Sequence, residues 1–252
     1  MTFFRFAAYQ TRRGTDFPPE GAGMVELVLK RADADDLDEL IALENAVKRS
    51  LPYDDMLVVD DKAFYKRLLD SGGRILIARG GDMAVGAGII SFPQEHDPDD
   101  LCGELNLSPA QAARVVRIES VYILEAYRGQ RLAERLLKEL LRYAQMLGKD
   151  LSLSTIWPGN AANLSAVFRQ GRTLRKLVRK YGGLPRFIIM GAPTPPPVCG
   201  DTVWVRSMDL DGHAKQFADG KIGITMRKDE GSAFHSLAFD IGYRRLDTSL
   251  SS

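Results

Sequence analysis

The sequence predicts a mixed α/β (α+β) fold, a sheet flanked by helices, and three observations carry that expectation. Residues 114–157 read as strand, helix, strand, and a crossover of that kind joins two parallel strands. Residues 74–92, "RILIARGGDMAVGAGIISF", read as a hairpin in which two apolar runs flank Gly80-Gly81-Asp82, a short turn suited to positive φ. The hairpin supplies antiparallel partners, so the sheet is mixed. Finally, 45% of the 252 residues are hydrophobic, enough to build a core for such a sheet.

Each element follows from local pattern. Residues 1–23 end in the turn-rich "FPPEGAG" and are expected to form an N-terminal extension. "MVELVLK" (24–30) reads as the first strand. In "DADDLDELIALENAV", Leu37, Leu40, Ile41 and Val47 recur at helical spacing, and aspartates crowd the first turn, where they complement the helix dipole. A second helix is expected from near Asp61. After the hairpin, "PQEHDPDDLCGELNLSPAQAA" reads as an acidic loop ending in a short helix, and "RVVRIESVYIL" (114–124) as a strand. Residues 129–148 form the clearest helix: Leu132, Leu136, Leu137, Leu140, Leu141, Ala144 and Leu147 share an apolar face, and Gly148 stops it. "DLSLSTIW" (150–157) reads as a strand, "PGNAANLSAVFRQ" as a turn into a helix, "RTLRKLVRKY" (172–181) as a basic helix and "LPRFIIMG" (184–191) as a strand. The proline-rich "APTPPPVCGD" then breaks the chain. The expected organisation is the extension (1–23), a main domain (24–192) and a C-terminal β-rich extension (193–252) with one short helix, completing or covering the sheet.

Composition narrows the function classes. The formal net charge of +1 gives no global pull toward nucleic acid or an anionic membrane, so neither partner is expected. Cys102 and Cys199 lie far apart and fit no metal spacing, and two cysteines make no disulfide framework. A reducing cytoplasm is the expected location. His96, His213 and His235 form no ligand cluster, so no metal site is expected. The amino terminus lacks the continuous apolar segment of a secretory signal, and no apolar run approaches the roughly 18–20 residues of a membrane span.

The strand at 114–124 runs into "EAYRGQRLAERLL" (125–137). A helix start exposes unpaired N–H groups and partial positive charge, so it holds phosphate. Gly129 permits close backbone approach, and Arg128 and Arg131 bring guanidinium forks suited to phosphate oxygens. Taken alone, these residues equally suit a solvated surface turn. Their surroundings are more specific. "ESVYILEAYRGQRLAERLLKELLRYAQMLG" resembles the cofactor-binding segment of the GNAT superfamily, the acetyl-CoA-dependent N-acetyltransferases, in which Tyr-Arg-Gly-x-Gly-x-Gly/Ala opens a helix after a strand. "LVLKRADADDLDELIALE" is similar to the family's first strand and helix, and "ILIARGGDMAVGAGII" to its second and third strands. "LSLSTIWPGNAANLSAVFRQG" resembles its fifth strand and the helix beyond, and "YGGLPRFIIM" a late strand. The resemblance runs in matching order from residue 24 to residue 191.

The resemblance implies a mainly antiparallel GNAT-like sheet with splayed central parallel strands. It implies acetyl-CoA as co-substrate and direct acetyl transfer to a primary amine of a small molecule or protein. It sets the pyrophosphate against Arg128, Gly129, Gln130, Arg131, Leu132, Ala133 and Glu134. The pantetheine arm would pair with Val121, Tyr122 and Ile123 like an added strand, and an N–H near Ile123 would polarise the thioester carbonyl. Glu119 shares a strand face with Val121 and Ile123 and is the expected base for the amine; the other reading pairs it with Arg117. Asn160 is expected either to contact the pantetheine or to cap the following helix.

Two departures from the family pattern stand out. Arg131 occupies a glycine position and is expected to turn outward and contact phosphate. The place where many members carry an acid tyrosine falls on Val167, which leaves Tyr181, Ser165 or a water to protonate the thiolate. The loops 50–56 and 93–104 are acidic and would attract a cationic amine or polyamine. The run Arg172, Arg175, Lys176, Arg179, Lys180 reads as a solvated helix face, with contact to the 3′-phosphate of CoA as the sharper alternative. The competing function class is an acyl-CoA-binding regulator or sensor with the GNAT fold and little catalysis. A homodimer is left open.

Overall fold

The computed structural model describes residues 4–6, 27–94, 97, 99–230 and 236–247. In chain order the strands are β1 (Phe4–Phe6), β2 (Leu27–Arg31), β3 (Arg74–Gly80), β4 (Met83–Ser91), β5 (Val115–Ile123), β6 (Leu151–Ile156), β7 (Thr173–Lys180), β8 (Leu184–Gly191), β9 (Val198–Arg206), β10 (Lys221–Lys228) and β11 (Phe239–Leu246). The helices are α1 (Leu37–Arg49), α2 (Lys62–Asp70), α3 (Leu101–Glu104), α4 (Pro109–Ala112), α5 (Leu132–Met146), α6 (Ala161–Arg169) and α7 (Leu210–Ala218). Of the expected extension 1–23, only β1 falls inside the described residues. The chain divides into two compact units. The first takes residues up to Leu51, Val59–Phe92 and Ile118–Leu147, and the second takes Pro52–Val58, Pro93–Arg117 and the chain from Gly148 onward.

In the first unit the strand order is β1-β2-β3-β4-β5, with β1 to β4 joined antiparallel. The β3–β4 hairpin forms as the pattern predicts: Gly80 pairs with Met83, and Gly81 makes the turn at φ 62°. Helix α5 packs on β3 and β4. Gly88 lets it come close, since a Cβ there would stand 2.8 Å from Leu140 Cδ1. Leu27, Leu29, Ala78, Val85, Ile123, Leu132 and Leu136 form the core on this face. Leu147, expected on the apolar face of α5, is instead 49% exposed. The helix ends at Met146 and the chain turns left-handed at Gly148 (φ 74°), so Leu147 leaves the helical register. The buried stripe of α1 is Leu37, Leu40, Leu43, Glu44 and Val47, with Ile41 at its margin.

The second unit has the strand order β5-β6-β8-β7-β10-β11-β9. Val115–Arg117 pair in parallel with Leu151–Leu153, and every other ladder of this unit is antiparallel. The C-terminal residues continue the sheet: β10 meets β7, β11 meets β10 and β9 meets β11, while α7 packs on β7 and β10. The expected helix over 172–181 is a strand. The spacing of its basic residues looks helical, but Tyr181, Gly182 and Gly183 all hold positive φ (51°, 80° and 101°) and fold the segment back onto β8. Leu174 pairs with Ile189 and Leu177 with Phe187 across the hairpin, and that apolar pairing outweighs local periodicity. Within the expected β-rich extension, residues 231–235 lie outside the described residues, and β11 begins at Phe239. Among the described residues no helix is long and apolar enough to cross a membrane.

Candidate functional site

The helices differ in how they begin. Side-chain oxygens of Asp61, Asp100, Ser108, Asn160 and Asp209 accept from first-turn N–H groups of α2, α3, α4, α6 and α7. Helices α1 and α5 have no such cap: α1 continues directly from a 3-10 turn (Ala34–Asp36) that Asp33 caps, whereas α5, the longest among the described residues, follows the Arg128–Arg131 loop. Its N-cap is Arg131, in the left-handed region at φ 56°, ψ 21°. The first backbone bond of the helix runs from Arg135 N–H to Arg131 O at 3.0 Å, so the N–H groups of Leu132, Ala133 and Glu134 form an uncapped first turn. Two residues earlier Gly129 is also left-handed, at φ 78°, with nothing within 4 Å of where a Cβ would stand. Gln130 is half-buried between them, Leu132 is buried, and Ala133 and Glu134 are exposed. The glycine usual at position 131 now has a backbone reason: the chain is left-handed there, and the Arg131 side chain is exposed.

Arg128 is partly occupied. Its Nε donates to the carbonyl of Ile123 at 3.1 Å and its Nη2 to Ser50 Oγ at 2.8 Å. These bonds tie the loop to the end of β5 and to the C-cap of α1. A guanidinium has five N–H donors, so the group keeps capacity for an anion.

On β5, Ile123 packs with Leu132 and Leu136 of α5, while Tyr122 is buried on the other face near Tyr65 of α2. Val121 and Glu119 are half-buried, and Glu119 accepts a hydrogen bond from Ser91 Oγ. Arg117 pairs with Asp97. Tyr65 donates to Glu44 Oε2 at 2.6 Å, and Glu44 itself is 0% exposed. Burial pushes the Glu44 carboxyl up to about 7, the Tyr65 hydrogen bond pulls it down, and the charge of Asp60 raises it further. Burial likewise raises the phenols of Tyr65 and Tyr122. Sequence patterning does not single out Glu44, although a signal was present: it sits four residues after Leu40 and three before Val47, inside an apolar stripe.

In the second unit Asn160 is buried, and its Oδ1 accepts from Asn163 N–H at 3.1 Å, so it caps α6. Val167, at the position of the usual acid, is core with Ala161 and Leu164. Trp157 is buried against Gly159, where a Cβ would meet the ring at 2.3 Å, and the Tyr53 ring packs on it at a 47° tilt with ring centroids 5.2 Å apart. Buried Arg186 donates to the carbonyl of Asp55 at 2.8 Å, its guanidinium lies 5.5 Å from the Tyr181 ring, and burial lowers its pKa. Tyr181 OH lies 3.2 Å from Thr155 Oγ1. Trp157, Tyr53 and Arg186 were not singled out in the sequence; a tryptophan closing a strand ahead of Pro-Gly was the available cue. The basic run is no solvated helix face. Arg172 is buried and donates to Ser154 Oγ at 3.2 Å, while Lys176 and Lys180 face Glu104 and Asp99. Among the described residues no group of three His, Cys, Asp or Glu is arranged to hold a metal.

Comparison with known proteins fits this architecture. Residues 37–167 match the Acetyltransferase (GNAT) family. A GNAT-family acetyltransferase from Streptococcus pneumoniae aligns with a TM-score of 0.50 at 16% identity, over 66% of this chain and 99% of that one. The yncA structure from Salmonella typhimurium, solved with acetyl-CoA, aligns at 0.49 and 18%, over 69% and 99%. The ribosomal-protein-alanine N-acetyltransferase of Brucella melitensis aligns at 0.47 and 21%, over 65% and 98%. No curated protein sequence matches the chain. The family match spans more than half of the residues, in the order of strands and helices described above, and the chain belongs to the GNAT acetyltransferase family.

Proposed function

We propose that this protein is an N-acetyltransferase that moves the acetyl group of acetyl-CoA to a primary amine of a small molecule or protein. The observation that carries the reading is the uncapped start of α5, with left-handed Gly129 and Arg131 leading into it. Unpaired N–H groups at a helix start attract phosphate, and the helix dipole adds to them. Gly129 to Glu134 and the free donors of Arg128 would receive the pyrophosphate. The backbone of Val121 to Ile123 would pair with the pantetheine arm, and an N–H near Ile123 would stabilise the oxyanion. Asn160 serves this reading as the cap that fixes α6.

In the reaction Glu119 removes a proton from the ammonium, directly or through water. The neutral amine then attacks the thioester carbon, forming the C–N bond. The nitrogen of the tetrahedral intermediate gives its second proton to solvent, the intermediate collapses with loss of the C–S bond, and the thiolate takes a proton from solvent. Asp54 and Asp55 in the 50–56 loop favour a cationic acceptor. We assign residues 24–192 to the transferase domain and 193–252 to an extension of its sheet. A reducing cytoplasm suits the two free cysteines, Cys102 and Cys199.

Thiol release from acetyl-CoA with a panel of amines tests the activity. Glu119→Gln is expected to bind CoA normally in calorimetry and to turn over about a hundredfold more slowly; equal turnover removes Glu119 as the base. The core position of Val167 favours a second reading, an acyl-CoA sensor, because α6 offers no acid at that position. CoA binding without thiol release for any amine would select it.

A further inference from the structure

A pocket of 460 Å³ lies within the second unit, between the 104–107 segment, β7, β8 and α7. Leu105, Leu107, Leu177, Met190 and Phe217 give it apolar walls, and exposed Ala214 and Ala218 form its rim on α7. Arg175, Lys176 and Glu104 are its charged residues.

The charges do not cancel. Lys176 Nζ holds Glu104 Oε2 at 2.7 Å, and Lys180 Nζ stands 3.7 Å from both Glu104 and Asp99. Two carboxylates thus answer two lysines. Arg175 has no ion pair or hydrogen bond among the described residues, although it is half-buried and desolvation lowers its pKa. A guanidinium keeps its charge under such conditions, so an unpaired positive charge stands in the pocket beside its leucine, methionine and phenylalanine side chains. The backbone contributes as well. Leu174 pairs with Ile189 and Lys176 with Ile188, which leaves Arg175 as the extra residue of a β-bulge. Bulges of this kind re-aim a side chain and recur beside functional sites.

We infer that this pocket binds a monocarboxylate with an apolar body, a ligand about the size of octanoate. One unanswered guanidinium calls for one negative charge, and its planar fork matches a carboxylate bidentately. The volume falls in the range of small-ligand sites, and Leu105, Leu107, Leu177, Met190 and Phe217 offer contact to the ligand's apolar body. The β7, β8 and α7 walls lie beyond the family-matched segment 37–167, and the rim belongs to the C-terminal extension. None of the lining residues is among those assigned in the proposed reaction to the pyrophosphate, the pantetheine or the amine, so binding measured without CoA is read apart from the transferase reading.

Calorimetry on the full chain, without CoA, tests it with octanoate as the probe and octanamide as the neutral isostere. Octanoate is expected to bind, with octanamide at least about tenfold weaker. Arg175→Leu should weaken octanoate by at least about tenfold and bring the two ligands level. Ala218→Trp, placed on the exposed rim, should block both while leaving the circular dichroism spectrum and CoA affinity unchanged. Absence of octanoate binding at millimolar concentration overturns the proposal. So does equal affinity for octanoate and octanamide, or wild-type octanoate affinity in Arg175→Leu. Should Arg175→Leu fail to fold, the octanamide comparison and Ala218→Trp decide the matter.

Discussion

Helices α5 and α6 both follow a strand through a short turn, yet they begin in opposite ways. Asn160 turns its side chain onto Asn163 N–H and closes the first turn of α6. Arg131 turns its backbone left-handed, keeps its side chain outside and leaves the first turn of α5 open. A good N-cap adds about 1 kcal/mol to stability but occupies N–H groups that would otherwise face a ligand. A closed start favours stability, and an open one keeps positive potential available for an anion.

Three substitutions can break or sharpen that contrast. The largest effect is expected for Gly129→Val. A β-branched residue does not reach φ 78° without strain, so the loop must shift. CoA binding measured by calorimetry should weaken roughly a hundredfold, about 2.7 kcal/mol, and stability should drop by about 1–2 kcal/mol. Unchanged CoA affinity would remove the α5 start as the anion site. Next is Asn160→Ala, which should lower stability in urea unfolding by about 1 kcal/mol and move the CoA dissociation constant by less than about threefold. A tenfold loss of CoA affinity would instead make Asn160 a cofactor contact. The smallest effect belongs to Arg131→Gly. Relief of left-handed strain, about 1–2 kcal/mol, is largely offset by the backbone entropy of glycine, so stability should rise by no more than about 1 kcal/mol. If CoA affinity falls in the same variant, the Arg131 guanidinium touches phosphate.

Legibility in the sequence followed the range of the determining interactions. The β3–β4 hairpin, α5 and the strand–helix–strand unit are set by periodicity over long runs and by a two-residue turn, so pattern suffices for them. The Arg128–Arg131 loop stands out by spacing along the chain, while its left-handed backbone at Arg131 appears only in the dihedrals. The β7 segment misled because its cations repeat every three or four residues. Its true periodicity comes from Phe187 and Ile189 across the hairpin. Glu44 acquires meaning only when Tyr65 and Tyr122 arrive from distant parts of the chain. The pocket at Arg175 needs both a bulge and α7, and neither is visible in a window around one residue.

Glu44 also gives the first unit an unusual relation to acidity. Its carboxyl is ordinary in the unfolded chain, near 4.5, and is raised to about 7 in the fold. Between those values the folded unit retains a proton that the unfolded chain has released, so folding takes one up from solution. The sign follows from linkage: this contribution is fully present below about 4.5 and is lost as pH climbs through about 7. Most buried carboxylates held by a cation make a protein fragile in acid. Here mild acidification adds to the stability of the fold, and raising the pH through about 7 removes that contribution.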